Sequence, residues 1–394
     1  MSAGRSRSSP VILIGRFRTL EEADQVVAAG HADLVVLTRA HIADPDLVRK
    51  TLEGQEDQVR PCIDYNHGCV GGLLSAGRLG CAVNPAVGQE ARLSEDLIVA
   101  AETPLSVLVV GGGPPGMEAA GVDALSGHRV TLVEANNRLG GCVNIAKRAP
   151  WRIGIGDIAD WLEREIYRLG VDVRLSSYFQ AEDLAAFNPD AVIVATGSMP
   201  RVDGHQMFVP GAAVPGTASA HVVSSHDVLM AGHRPNWGPT ALVFDDTGHY
   251  EAIAAAEYLA DRQVHVTFAT SHASFAPGLM TSVTTEPALR RLLARGVDVH
   301  CYAQLVAVDE GRCRMAHRLG GTPFDVPADT VVLVQHNLPN RLVADELSHF
   351  AGHMAVVGDA LGPRYLQTAI REGHLAARSL AHVARISVPT THGV

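Results

Sequence analysis

Three cysteines, Cys62, Cys69 and Cys81, stand in the stretch "RPCIDYNHGCVGGLLSAGRLGCAVNP" (60–85). Thiolates at such short spacing are the usual ligands of iron–sulfur clusters, which take four. Tyr65 stands where a fourth cysteine would complete the set, so the pattern reads Cys-x2-Tyr-x3-Cys-x11-Cys. The chemistry is therefore open between several outcomes. A cluster could recruit Asp64 or His67 as its last ligand, or form in a 3Fe–4S state. A Cys3His zinc site could use His67. The thiols could also hold no metal.

A second pattern handles phosphate. Gly111, Gly113 and Gly116 form G-x-G-x-x-G, with Pro114 inside it, in "LSVLVVGGGPPGMEAAGVDALSGHRVTLVEA". The first glycine allows a tight turn, and the second lets a pyrophosphate approach the backbone. The third lets the following helix pack closely, its N-terminus facing the phosphates. Glu134 ends the next predicted strand, where an acid accepts hydrogen bonds from ribose hydroxyls. An acid there favours a free 2′-hydroxyl over a 2′-phosphate. Together these predict an ADP-containing cofactor. "VIVATGSMP", with Thr196 and Gly197, and "VVGDA", with Gly358 and Asp359, are the strand ends expected near a flavin cofactor. Asp359 is suited to a ribose or ribityl hydroxyl.

A third unit, "PTALVFDDTGHYEAIAAAEYLADRQVHVTFAT", repeats strand, turn, helix and strand. Its turn carries Asp245 and Asp246 in place of glycines. Two carboxylates repel a pyrophosphate and cancel the helix's attraction for anions, so a structural role is favoured there over nicotinamide binding.

The elements that must position these residues follow a parallel-sheet grammar. Residues 10–55 read strand, helix, strand, helix: "PVILIGRF", then "TLEEADQVVAAG" capped by Thr19 and stopped at Gly30, then "ADLVVLTRA", then "DPDLVRKTLEG". Such strands need cover on both faces, and two strands alone cannot provide it. The sheet continues after Glu134 with "RLSSYF" and "FNPDAVIVATGSMP". "ADTVVLV" and "HMAVVGDA" follow, and "RYLQTAIREGHLAARSLAHVA" closes the pattern as a helix. The fold class is α/β: two nested Rossmann-like domains, preceded by the last two βα units of a TIM-barrel-like domain. The expected boundaries are a disordered tail at 1–9, the βα units at 10–55, the cysteine segment and linker at 56–100, a FAD- or ADP-binding domain at 101–235 and 325–394, and a NAD-like domain at 236–324.

A net charge of −10 over 394 residues argues against a nucleic-acid partner, which needs a basic face. No apolar run approaches the roughly 20 residues of a membrane helix. Without a secretory signal, the six cysteines suggest reduced cytoplasmic thiols or metal ligands, and a cytoplasmic location is expected. Cys142, Cys301 and Cys313 share no ligand spacing and read as ordinary thiols. His233, His249 and His265 read as surface or structural. No G-x-S-x-G elbow is present.

The set "GRF", "ADLVVLTRAHIADPDL", "RPCIDYNHGC", "VVGGGPPGMEAA", "DDTGHY" and "GDALGPRYLQTAIREGH" resembles the multidomain flavoproteins that include trimethylamine dehydrogenase, dimethylglycine and proline-betaine demethylases, and bacterial 2,4-dienoyl-CoA reductase. The resemblance implies an FMN-binding TIM barrel, a four-cysteine 4Fe–4S segment and FAD/ADP- and NAD-like domains. It places Arg138 and Gly141 of the "RLGG" loop near the nucleotide. It assigns Gly15, Arg16 and Arg39 to the phosphate of FMN, with Thr38 where the family usually has glycine. Most of that barrel is missing, so FMN is expected only if another chain supplies the remaining strands. The expectation is a flavin-dependent oxidoreductase subunit, the electron-transfer part of a split amine or betaine dehydrogenase, with no catalytic residue of its own assigned. An electron-transfer protein is a further expected partner. The alternatives are a stand-alone FAD-dependent NAD(P)H oxidoreductase and a non-enzymatic, ADP-stabilised scaffold.

Overall fold

Apolar β-branched runs dominate the strands, and this dictates the architecture. "SVLVV" (β3, Ser106–Val110) and "AVIV" (β6, Ala191–Val194) are buried along nearly their whole length. Such runs suit the interior of a parallel sheet covered on both faces. The computed structural model describes residues 9–211, 214–232 and 236–383. Of the expected disordered tail 1–9, residues 1–8 lie outside the described residues, as do His233 and the end of the chain from 384.

Near the start, β1 (Ile12–Ile14) and β2 (Leu34–Val36) pair in parallel. The helix Leu20–Ala28 connects them. It begins at a reciprocal capping box, in which Thr19 accepts from the Glu22 amide and Glu22 reaches back to the cap. These two strands form a sheet of their own. Val35 packs on the small core of Ala23, Leu37, Ala40 and Leu47, but other apolar side chains remain uncovered: Ile12 is 60% exposed, Ile14 63% and Leu34 56%.

The first large sheet joins β3 and β6 to β4 (Arg129–Val133), β5 (Asp172–Arg174) and a late strand, β17 (His353–Val356). Its order is β17-β6-β3-β4-β5, with every pair parallel. The expected strand "RLSSYF" forms earlier, its ordered part ending at Arg174. The short β7 (Ser198–Met199) leaves this sheet. The chain then builds a second parallel sheet from β8 (Val222–Ser224), β9 (Thr240–Asp245), β10 (His265–Thr270) and β11 (Asp298–His300). An antiparallel trio follows, β12 (Ala303–Asp309), β13 (Arg312–His317) and β14 (Phe324–Pro327). Its inner residues Leu305, Met315 and Val326 pack on Leu242 and Phe244 of the second sheet. β15 (Thr330–Val334) completes that sheet in the order β11-β10-β9-β15-β8. β16 (Leu338–Pro339) then pairs with β7 on the way back to the first sheet.

This pairing corrects the expected boundaries at 235/236 and 324/325. The expected boundaries put β8 and β15 in the first nucleotide-binding unit, yet both hydrogen-bond within the second sheet. Sequence shows an apolar strand but not which of two similar sheets receives it. Among the described residues no helix is long and apolar enough to cross a membrane.

Candidate functional site

The glycine turn follows β3 and opens the helix Pro114–Leu125, with Gly113 at its N-cap. Gly111 adopts φ +112°, and a Cβ there would lie 2.3 Å from the Ala195 carbonyl oxygen. Glycine is thus required by both backbone angle and space. Gly116 is required by space alone, since its Cβ would stand 2.0 Å from the Gly111 oxygen. Gly113 differs. A Cβ there would meet only Pro115, at 3.7 Å, so this face of the turn opens outward. No side chain caps the helix. Pro114 and Pro115 occupy its first two positions and carry no amide hydrogen, and the Gly111 and Gly112 amides bond Val133 and Glu134, so what is offered to a phosphate narrows to the turn at Gly113 and the helix dipole.

Glu134 is buried and braces this turn. One carboxylate oxygen accepts from the Gly112 amide at 2.7 Å, and the other accepts from the backbone and side chain of Asn136 at 2.7 and 2.6 Å. The "RLGG" loop folds over the same place: the Gly140 amide donates to the Gly112 carbonyl at 2.8 Å, and a Cβ on Gly141 would stand 3.1 Å from the Gly113 Cα. Arg138 is exposed beside it. A loop that covers an outward-facing glycine, with an exposed arginine at its start, fits the ADP half of a dinucleotide.

Three distant segments close the next part of the site. Thr196 Oγ1 donates to the Asn340 carbonyl at 2.7 Å, and the Asn340 amide donates to the Gly197 carbonyl at 2.9 Å. Ser198 Oγ donates to Asp359 at 3.0 Å. Gly358 takes φ +63°, with its amide on Glu372 at 2.9 Å. Beyond them lies a cavity of about 450 Å³ whose lining includes Tyr65, Cys142, Arg152, His249, Tyr250 and Asp359. It adjoins the glycine turn through Cys142, the residue after Gly141. Cys142 is exposed as a residue, and desolvation at the cavity wall with the nearby Asp359 and Glu251 pushes its thiol up to about 11.

The cavity wall shows what became of the cysteine segment. Tyr65 is packed with a cation: Arg152 lies 4.6 Å from its ring centroid and 3.7 Å from that of Tyr250. His67 packs against Tyr365 at 4.2 Å between centroids, the rings tilted by 50°. Asp64 and His67, the expected fourth-ligand candidates, are both engaged otherwise. The Cys62 thiol lies 3.8 Å from Asp64. Burial pushes Cys62 up to about 11 and raises Cys81 as well. Among the described residues no three His, Cys, Asp or Glu side chains gather to hold a metal ion. Cys62, Cys69 and Cys81 as placed do not fit a cluster.

Sequence reasoning did not assign Arg152, Tyr250, Tyr365 or Asn340. It also missed a buried triad behind the glycine turn. Glu118, on the helix Pro114–Leu125, accepts from Arg60 at 2.9 Å and meets His374 at 2.9 Å. Burial opposes its ionisation, yet Arg60 and His374 hold its carboxyl down at about 2. Arg60 also donates to the Val83 carbonyl at 2.6 Å, so it ties both ends of the cysteine segment to the nucleotide helix.

The second unit's turn is filled by its own side chains. Asp245 Oδ1 accepts from the amides of Thr247 and Gly248 at 3.0 and 2.9 Å and from the Thr247 hydroxyl at 3.0 Å. Its other oxygen accepts from Thr270 at 3.2 Å. Asp246 accepts from the Met207 amide at 2.7 Å and from Ser271 at 2.6 Å. The amides that a pyrophosphate would use are taken. His265, by contrast, is a surface residue paired with Asp298 at 3.3 Å.

Known proteins resemble this arrangement along nearly its whole length. No family model matches the chain. It is 32% identical over 362 residues to a probable N-methylproline demethylase of Rhizobium meliloti, covering 90% of this chain and 51% of that protein. It is 36% identical over 287 residues to an N,N-dimethylglycine/sarcosine dehydrogenase of Chromohalobacter salexigens, covering 73% and 40%. Among solved structures, histamine dehydrogenase from Rhizobium sp. 4-9 superposes with a TM-score of 0.89 at 28% identity, over 97% of this chain and 60% of that one. The chain thus spans about half the length of the curated relatives it matches.

Proposed function

We propose that the chain is the FAD- or ADP-holding, electron-transfer part of a flavin-dependent oxidoreductase of the amine dehydrogenase and N-demethylase kind. The carrying observation is the open face at Gly113, framed by an uncapped helix, the "RLGG" loop and Glu134. The names of the relatives support the reaction class. In this reading Gly111, Gly113, Gly116, Arg138 and Gly141 hold the diphosphate, and Thr196, Gly197, Gly358 and Asp359 border the rest of the cofactor. A flavin, when bound, accepts electrons in pairs and passes them on singly. The chain's own residues do the rest: Asp359 offers a carboxylate to a hydroxyl, Arg152 brings positive charge to the cavity, and the aromatic wall of Tyr65 and Tyr250 excludes water.

The uncovered faces of β1 and β2 favour a docking role for residues 10–55. Further parallel strands, carried on a partner chain with the substrate site, would bury Ile12, Ile14 and Leu34. An iron–sulfur relay is left out of this reading, because the three thiols do not converge.

Denaturing the purified protein and identifying what it releases tests the proposal. FAD or ADP is expected at about one per chain. Release of neither, with no rebinding on titration, removes it. The stand-alone NAD(P)H oxidoreductase is disfavoured by the filled turn at Asp245. Rapid bleaching of a bound flavin by NADH or NADPH would restore it.

A further inference from the structure

Arg16 and Arg39 sit just beyond the carboxyl ends of β1 and β2. The strands pair in parallel, so both guanidinium groups reach the same end of one small sheet. That end is where open parallel sheets bind ligands, and converging arginines there define an anion site. The anion present is the protein's own. Asp64 places one carboxylate oxygen 2.8 Å from Nε of Arg16 and the other 3.1 Å from a terminal nitrogen of Arg39. The same Arg39 nitrogen donates to Asn66 Oδ1 at 2.8 Å.

Local backbone geometry holds this carboxylate in place. Asp64 and Asn66 both adopt left-handed angles, φ +55° and +58°, on either side of Tyr65. Few residues enter that region, and Asp and Asn do so most readily. Tyr65 between them is held by Arg152. The Asp64 side chain is 11% exposed, whereas Arg16 is 72% exposed, so the carboxylate is the buried partner. The helix Thr38–Ala43 has only six residues and offers no N-terminal anion site of its own.

We propose that Asp64 is a built-in substitute for a phosphate at Arg16 and Arg39. The two arginines then clamp the cysteine segment to the β1–β2 unit and do not hold the phosphate of FMN. A phosphate monoester carries about −1.5 to −2 charges at neutral pH. It reaches these arginines only if the Asp64 carboxylate leaves, because the two anions repel at contact distance.

FMN and riboflavin differ only in the phosphate, so titrating both isolates this contact. With the unaltered protein, carrying whatever nucleotide it retains, the two flavins are expected to bind equally or not at all. FMN binding about tenfold or more above riboflavin overturns the proposal. Asp64→Asn removes the competing charge and keeps the shape. It is expected to acquire a preference for FMN of about tenfold, lost again when Arg16→Ala is added. A folded Asp64→Asn protein with no such preference also overturns the proposal. Should that variant fail to fold, the two titrations of the unaltered protein decide.

Discussion

The two strand–turn–helix units, at Gly111–Gly116 and at Asp245–Gly248, share a fold and differ in who fills the turn. In the first, glycines remove side chains from the cradle, and Glu134 braces it from behind. In the second, Asp245 lies inside the cradle and takes its amides. Turn amides must find acceptors wherever water is excluded. The first unit bonds its Gly111 and Gly112 amides to Val133 and Glu134 and leaves open space at Gly113, whereas the second fills its cradle with the Asp245 carboxylate, so in the proposed reading one turn serves binding and the other stability.

The largest expected effect breaks the first turn without unfolding it. Gly113→Glu adds a side chain whose Cβ would meet only Pro115, at 3.7 Å, and puts a carboxylate where the diphosphate is proposed to lie. Affinity for FAD or ADP is expected to fall by roughly two orders of magnitude, with the apo protein's melting temperature little changed. Equilibrium titration and thermal unfolding of the same preparation check both halves. Retained affinity would mean that the cradle at Gly113 is not where the nucleotide sits.

The mirror experiment acts on the second turn. Asp245→Ala strips acceptors from the buried amides of Thr247 and Gly248 and from two hydroxyls. The expected cost is about 2–4 kcal/mol of stability, read by urea unfolding, with nucleotide affinity in the first turn preserved. Affinity lost together with stability would show that the two units do not act separately.

The first turn was legible in the sequence, because glycine spacing, strand, helix and terminal acid lie within one short stretch. So was the altered turn of the second, because Asp245 and Asp246 stand where glycines would, and Asp245 takes the turn's amides. What was not legible depends on contacts between distant segments. Tyr65 reads as a missing ligand, and only the fold shows it stacked with Arg152 and Tyr250. Asp64 reads as a substitute metal ligand, yet it spends its charge on Arg16 and Arg39. The assignment of β8 and β15 to the second sheet was hidden for a similar reason: two parallel sheets in one chain accept the same kind of apolar strand.

The smallest expected effect sharpens the comparison at the cavity the two units share. His249, at the start of the second unit's helix, has an Nε2 buried without a hydrogen-bond partner. Burial, with the nearby His67 and Arg152, lowers its pKa to about 3. The unfolded chain takes up a proton at this histidine near pH 6.5, while the folded protein resists until about pH 3. Between those values the unfolded state binds more protons, so stability falls as the pH falls. His249 is partly exposed, and solvent screening reduces the effect to about 1–2 kcal/mol. His249→Asn keeps a polar side chain but cannot titrate, so the variant is expected to lose less stability than the parent between pH 6.5 and 4 while matching it at pH 8. Urea midpoints of the nucleotide-free proteins across that range report the difference, and parallel pH curves for the two proteins would place the acid sensitivity elsewhere. Glu118 enters only at the acid end of that range and in both proteins alike, because its carboxyl, held at about 2 by Arg60 and His374, contributes stability that is full above the unfolded carboxylate range and is lost progressively as the pH falls from there toward 2.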